Sequence, residues 1–223
     1  MAELLLVRHA QASYGSGDYD RLSALGWRQA RWLGEYFAQH GTTFDLVVRG
    51  SLRRHDETLR GIGEGLGRAL EGEADPRLDE YDSLALLRAH TGRELAQGAD
   101  RRAHFRLLRE ALYAWTEGSL NASGRNPAYE PFAAFRARVL AALAAIRARS
   151  AQRVLVVSSG GPISTILAEV LGMPARGVVD LNLQTRNTGM SELQAGASRI
   201  HCVSFNSVPH LERPDRRGAL TYA

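Results

Sequence analysis

The stretch Leu4-Leu5-Leu6-Val7-Arg8-His9 decides how this chain reads. Its apolar residues follow one another without polar alternation, the pattern of a strand covered on both faces in a parallel sheet. The run then breaks at once into an arginine and a histidine. Two later runs repeat the design. Phe44 to Val48 leads into Arg49, Ser51, Arg53 and Arg54, and Val154 to Val157 leads into Ser158, Ser159, Gly160 and Gly161.

Helical spacings separate these runs. Ser23 reads as an N-cap before Leu25, Gln29, Trp32, Leu33, Tyr36 and Phe37, with Gly41 closing the helix. Ser51 reads as the cap of a second helix reaching about Gly67. Phe132, Phe135, Val139, Leu143 and Ile146 mark another helix, and Gly160-Gly161-Pro162 opens one that runs to Leu171. His9 to Arg21, with Gly15 and Gly17, and Asp75 to Asp82 read as loops. Ser191 to Leu193 and Ile200 to Phe205 read as late strands, and the polar tail after His210 as mobile. Strands alternating with helices predict a three-layer α/β/α sandwich with a mostly parallel central sheet. The stretch at about 84–130 is more polar and rich in arginine. Phe105, Leu108, Leu112 and Trp115 mark a helix inside it, and it reads as a helical cap inserted into a single domain spanning 1–223.

Composition narrows the function. A chain of 223 residues, 44% hydrophobic and 23% charged, suits one soluble globular core. Its 28 Lys+Arg against 24 Asp+Glu leave a formal charge of +4. The cations are overwhelmingly arginine, which grips phosphate in a bidentate fork; a GC-rich coding bias explains the excess equally well. They are scattered, with no helix-turn-helix or aromatic-basic pattern, so no nucleic-acid partner is expected. Arg88, Arg93, Arg101, Arg102, Arg106 and Arg109 in the cap read mainly as a solvated face. Cys202, the single cysteine, allows no internal disulfide or cysteine metal cluster and fits a reducing compartment. Met1 to Val7 is too short for a secretory signal or a membrane span, so a cytoplasmic protein without a membrane partner is expected. Gly61, Gly63, Gly65 and Gly67 lack the Gly-x-Gly-x-x-Gly spacing and follow no buried strand, which speaks against a dinucleotide site.

In open α/β sheets, ligands bind beyond the carboxyl ends of the strands. Two of the three ends here feed directly into helix N-termini, where free N–H groups and the helix dipole favour an anion. Arginines converging there make a phosphate pocket.

The run Leu5-Leu6-Val7-Arg8-His9-Ala10-Gln11 resembles the Arg-His-Gly signature of the histidine phosphatase superfamily, the phosphoglycerate mutase-like proteins. Four further blocks resemble that family in order: Leu22-Ser23-Ala24-Leu25-Gly26-Trp27-Arg28-Gln29-Ala30; Gly50-Ser51-Leu52-Arg53-Arg54-His55-Asp56-Glu57-Thr58; Leu78-Asp79-Glu80-Tyr81; and Val154 to Ile163. The resemblance implies catalysis by His9 and Glu80, with phosphate held by Arg8, Arg54, Ser159 and Gly160, backbone N–H groups near Gly160 and Gly161 assisting. His9 would take the phosphoryl group from a small phosphorylated substrate. Glu80 would protonate the leaving group and then activate water. Neither a metal nor another cofactor is implied. The oligomeric state is left open, a homodimer being compatible.

Two positions depart from the family pattern. Ala10 stands where glycine is usual, a mild change. Ser159 stands where the family has a second histidine that contacts the phosphoryl group. Serine donates one neutral hydrogen bond and brings no charge, and a charge-assisted bond is about twice as strong. The exchange predicts weaker phosphate binding or slower turnover, on the order of a few kcal/mol in transition-state stabilisation if nothing compensates. His55 is one candidate for compensation, although beside Arg54 it reads first as an exposed helix residue. Arg54 and Glu80 also have plainer readings, as a surface arginine and a loop ion-pair partner; Glu57 or Asp82 competes for the acid's place.

Three other functions stay in view. One is a catalytically impaired protein of this fold that binds phosphate esters. Another is a mutase-type phosphotransferase. The third is a serine hydrolase using Ser159 with Asp180 and His201 or His210, against which Val157 occupies the first glycine position of the Gly-x-Ser-x-Gly elbow.

Overall fold

In the computed structural model six strands form one sheet: β1 (Ala2–Arg8), β2 (Leu46–Arg49), β3 (Glu73–Ala74), β4 (Arg153–Ser158), β5 (Met190–Ala195) and β6 (Ile200–Ser207), in the order β3-β2-β4-β1-β5-β6. Residues 1–13, 20–92, 101–120 and 129–222 are described. β1 pairs parallel with β4, and β2 pairs parallel with both β4 and β3. β5 is antiparallel to β1 and to β6, so the sheet is mixed but mostly parallel.

The unbroken apolar strands follow from having helices on both faces. Leu4 and Leu6 of β1 and Val154 and Val156 of β4 face one cluster, while Leu5, Val7, Leu155 and Val157 face the other. The second cluster is closed by α1 (Ala24–Gln39) and α2 (Arg53–Leu66) through Leu33, Phe37, Leu59 and Ile62. The first is closed by α5 (Phe132–Arg147) and α6 (Gly160–Val170), with α7 (Ala175–Asn182) at its rim. The cap region contributes α3 (Ser83–Thr91) and α4 (Arg101–Thr116). Leu86, Leu112 and Trp115 from these two helices belong to the same cluster as β1 and β4, so they share the main core. The side chains of Arg88, Arg102, Arg106 and Arg109 are exposed. Gly15, Gly17, Arg93 and the side chain of Arg101 lie outside the described residues.

Several local expectations are corrected. Ser51 does not cap α2: Leu52 stands at the N-cap without a side-chain bond, and Ser51 instead donates its N–H to Asp79 Oδ1 at 2.6 Å. Phe44 precedes β2 rather than belonging to it, and packs edge-on against Phe37. Part of the 75–82 loop is a 3-10 turn, Pro76–Leu78. The helix α7 carried no sequence signal strong enough to be expected. The tail after His210 is docked. It forms 3-10 turns at Pro209–Leu211 and Pro214–Ala219 and buries Leu211, Arg216 and Ala219.

Gln29 explains that docking. Fully buried on α1, it accepts from Gln11 N at 2.9 Å and donates to Ala219 O at 2.7 Å and Thr221 Oγ1 at 2.8 Å. Thr221 Oγ1 donates in turn to Asn187 Oδ1 at 2.9 Å, and Asn187 donates to the carbonyl of His9 at 3.1 Å. One amide thus ties the loop after β1 to the C-terminal tail. Gln29→Ala leaves several of these groups unmatched, at about 1–3 kcal/mol for each that stays buried. The variant is expected to lose roughly 2–4 kcal/mol in urea unfolding and to become cleavable by protease in the tail.

Candidate active site

The carboxyl ends of β1, β2 and β4 bring Arg8, His9, Arg54, His55, Ser159 and Glu80 into one region. The main chain of β1 continues its pairing one residue past the strand, with His9 N–H donating to Ser158 O at 2.8 Å. Ala10 N–H donates to Thr58 Oγ1 at 3.0 Å, and that hydroxyl donates to Arg54 O at 2.7 Å. Thr58, one helical turn beyond Arg54, therefore locks the start of α2 to the loop carrying His9. Gly26 belongs to the same joint: a Cβ there would lie 2.2 Å from Gln11 O.

His9 is buried, with Nδ1 2.8 Å from its neighbour's carbonyl, Ala10 O. A carbonyl only accepts, so Nδ1 carries the proton and Nε2 keeps its lone pair. Burial first, then the charges of Arg54 and Arg8, hold this imidazole well below the ordinary histidine pKa. It is a neutral, oriented imidazole beside two guanidiniums. Arg8 donates through Nη1 to the carbonyl and, at 3.1 Å, the hydroxyl of Thr185. Arg54 donates through Nη1 to Asp20 Oδ1 at 2.8 Å, and Asp20 also accepts from Arg53 N at 2.9 Å.

Glu80 reaches the site from the loop after the 3-10 turn. Gly161 N–H, which was expected to face the anion, donates to its carboxylate instead, 3.1 Å from Oε1 and 3.2 Å from Oε2. Desolvation pushes the carboxyl pKa up, against the lowering pull of that N–H, Arg54 and Arg8. The loop is clamped from behind. Ser158 Oγ donates to Leu78 O at 2.7 Å, and Arg138 Nη1 donates to Arg77 O at 2.8 Å and Asp79 O at 2.9 Å. Arg138 also pairs with Glu130 and lies over the Phe135 ring.

His55 is fully buried, not exposed. Its Nε2 lies 2.7 Å from Ser159 Oγ, and its ring centroid lies 5.8 Å from that of His9. The sequence held a signal for this: His55, Leu59 and Ile62 follow i, i+4, i+7 spacing, and Leu59 and Ile62 are both buried. Ser159 occupies the N-cap of α6 but makes no capping bond, its hydroxyl being engaged with His55.

The competing residues have other partners. Glu57 accepts from Leu22 N and pairs with Arg53, and Asp82 caps α3 through Ala85 N. The expected hydrolase partners of Ser159 do not reach it. Asp180 accepts from Tyr113, His210 pairs with Thr188 Oγ1, and His201 is an exposed residue of β6. Thr58, Gln29 and Arg138 are structural supports whose roles the sequence reading did not assign.

A Cβ at position 161 would lie 2.2 Å from Glu80 Oε1 and 2.7 Å from the Tyr81 ring. Gly161→Ala is therefore expected to displace the carboxyl and lower turnover about 10- to 100-fold, the scale of misplacing a catalytic group by ~1 Å. Thermal unfolding together with phosphate-release assays checks whether activity falls further than stability.

The family model described as the histidine phosphatase superfamily (branch 1) matches residues 4–208. Comparison with curated proteins returned no significant match. Among solved structures, a putative alpha-ribazole-5'-P phosphatase from Escherichia coli superposes with a TM-score of 0.65 at 24% identity, covering 93% of this chain and 98% of that one. A mycobacterial glucosyl-3-phosphoglycerate phosphatase gives 0.65 at 23% identity, covering 92% and 99%. A mutant phosphoserine phosphatase from Entamoeba histolytica in complex with phosphoserine gives 0.63 at 18% identity, covering 95% and 100%. These likenesses concern the fold.

Proposed function

The chain belongs to the histidine phosphatase superfamily, branch 1, and from that premise we propose that it hydrolyses a small phosphomonoester through a phosphohistidine on His9. The observation carrying this reading is the neutral, oriented His9 imidazole under the combined charge of Arg8 and Arg54, with Glu80 beside them. Two of the three relatives named above are phosphatases and the third is a putative one, which supports the reaction class and leaves the substrate open.

In the first step His9 Nε2 attacks phosphorus in line as the ester P–O bond breaks. Glu80, carrying its proton, delivers it to the departing oxygen. Arg8 and Arg54 neutralise the nonbridging oxygens. In the second step the Glu80 carboxylate takes a proton from water, whose oxygen attacks phosphorus. The N–P bond breaks, leaving neutral His9 and inorganic phosphate.

Removing the nucleophile tests the proposal. With an aryl phosphate, His9→Ala is expected to cut kcat by at least ~10³-fold, the scale of losing a covalent catalyst. Wild-type enzyme quenched during turnover should carry phosphate that is labile in acid and stable in base. Equal rates for wild type and His9→Ala would instead favour a protein that binds phosphate esters without turning them over. One observation supports that second reading: the partner of Ser159 is an uncharged imidazole, its pKa held at about 3 by burial first and then by Arg54 and Arg49.

The pH profile follows from the two shifts. His9 must be neutral, and its lowered pKa keeps it so below the ordinary ~6.5. Glu80 must be protonated, and its raised pKa keeps it so above the ordinary ~4.3. Activity is expected to hold through the normal histidine range on the acid side and to fall as pH rises through the raised Glu80 value. Glu80→Gln should remove that alkaline fall and lower kcat roughly 100-fold or more, with a smaller loss for substrates whose leaving group needs no proton.

A further inference from the structure

His55 is unused by the route above, yet it is the most elaborately held imidazole in the site. It enters from α2, fully buried, with Nε2 2.7 Å from Ser159 Oγ. Its Nδ1 makes no hydrogen bond and faces Asp79 Oδ1 at 3.7 Å. That carboxylate is fixed by the N–H and hydroxyl of Ser51. Gly50 leaves the slot open: a Cβ there would lie 2.2 Å from Nδ1 and 2.6 Å from Asp79 Oδ1. A purely structural position between two guanidiniums would be served at lower cost by an apolar side chain.

We infer that His55 and Ser159 act as one unit on the phosphoryl group, His55 being a positioning residue that sets where the Ser159 hydroxyl directs its hydrogen. The inference rests on the phosphohistidine reading. The Asp79 carboxylate facing Nδ1 favours the proton on that nitrogen. Nε2 then accepts from the Ser159 hydroxyl. The charged or titratable groups facing His55 are Arg54 on its own helix, Arg49 at the end of β2, Asp79 after the 3-10 turn and His9 at the end of β1. Arg49 is already paired with Asp56 at 3.1 Å. Burial first, then the charges of Arg54 and Arg49, keep His55 neutral, and a phosphoryl dianion between Arg54 and His9 adds an attraction for the protonated ring that opposes all three. Nε2 then takes up a proton from solvent and donates to Ser159 Oγ. The hydroxyl hydrogen turns to a nonbridging oxygen. When phosphate leaves, the proton returns to solvent. A single buried imidazole thereby adds a positive charge only while the anion is present.

Kinetics and spectroscopy test this together. His55→Ala and Ser159→Ala are each expected to lower kcat roughly 10- to 1,000-fold with KM within about threefold of wild type, and the double variant to be no slower than the slower single one. Additive losses, or a raised KM with kcat intact, would overturn the inference. Supplying an imidazole from position 159 in the H55A/S159H variant should recover most of the loss. A swap variant as slow as H55A would show that packing alone was disturbed. In wild-type enzyme saturated with orthovanadate, nitrogen-15 NMR should show His55 as an imidazolium, and a neutral His55 there would refute proton uptake even if the variants fail to fold. Covalent labelling of Ser159 by a fluorophosphonate would make it a nucleophile and end the proposal. Activity surviving in His9→Ala would sink the phosphohistidine reading itself, whereas an inert His55→Ala with phosphohistidine intact would sink only this inference.

Discussion

Two guanidiniums buried against one imidazole set the terms for the rest of this molecule. Desolvating charged side chains costs several kcal/mol apiece unless partners are close and well placed. Arg8 is held by the Thr185 carbonyl and hydroxyl, and Arg54 by Asp20. The same charges that make the pocket attractive to a phosphoryl anion make it hostile to a protonated His9. In the proposed route, nucleophile activation and anion binding are thus one electrostatic arrangement, and weakening either arginine would alter both.

Such an arrangement demands a scaffold that fixes three distant chain segments. Parallel strands under helices provide it, because β1, β2 and β4 all end on the same edge and their helices begin there. Side-chain staples then hold the segments in register. Thr58 joins α2 to the loop after β1, Ser158 and Arg138 fasten the Glu80 loop, and Gln29 with Asn187 binds the C-terminal tail behind His9. Each staple satisfies backbone groups that would otherwise be lost to water at a crowded loop junction.

Much of this was legible in advance, and the gaps have physical causes. Strands buried on both faces announce themselves as unbroken apolar runs, so β1 and β4 and the helices flanking them were placed from the sequence. The ends of β1 and β4 carried Arg8, His9 and Ser159, and the end of β2 led to Arg54. What could not be read was whom a polar side chain would meet. Ser51 looked like a helix cap and became a partner of Asp79, because a carboxylate from another segment was nearer than its own helix. Gly161 looked like an anion donor and serves Glu80. The tail looked mobile from its polarity, but Gln29 bonds Ala219 O and Thr221 Oγ1, a long-range contact that local composition does not report. His55, weighed as a partner for the site but read first as an exposed helix residue, is buried. Its polarity argued for solvent, while its spacing with Leu59 and Ile62 argued for the core.

The His55–Ser159 contact also changes how the departure at position 159 is to be weighed. Read along the chain, a serine in place of a histidine is a deletion of charge. Read in space, an imidazole still stands 5.8 Å from His9, carried by α2 instead of the end of β4. The hydroxyl that remains is not idle at its helix N-cap but bonded to that ring. If His55 serves in place of a histidine at position 159, as inferred above, the group has changed element and the motif that would identify it is gone. The imidazole sits between Arg54 and Asp79; on the inference drawn above it would meet the anion through a rotatable hydroxyl, and its charge would follow what the pocket holds. A histidine placed directly on the strand would touch the anion itself, with no hydroxyl rotor between them.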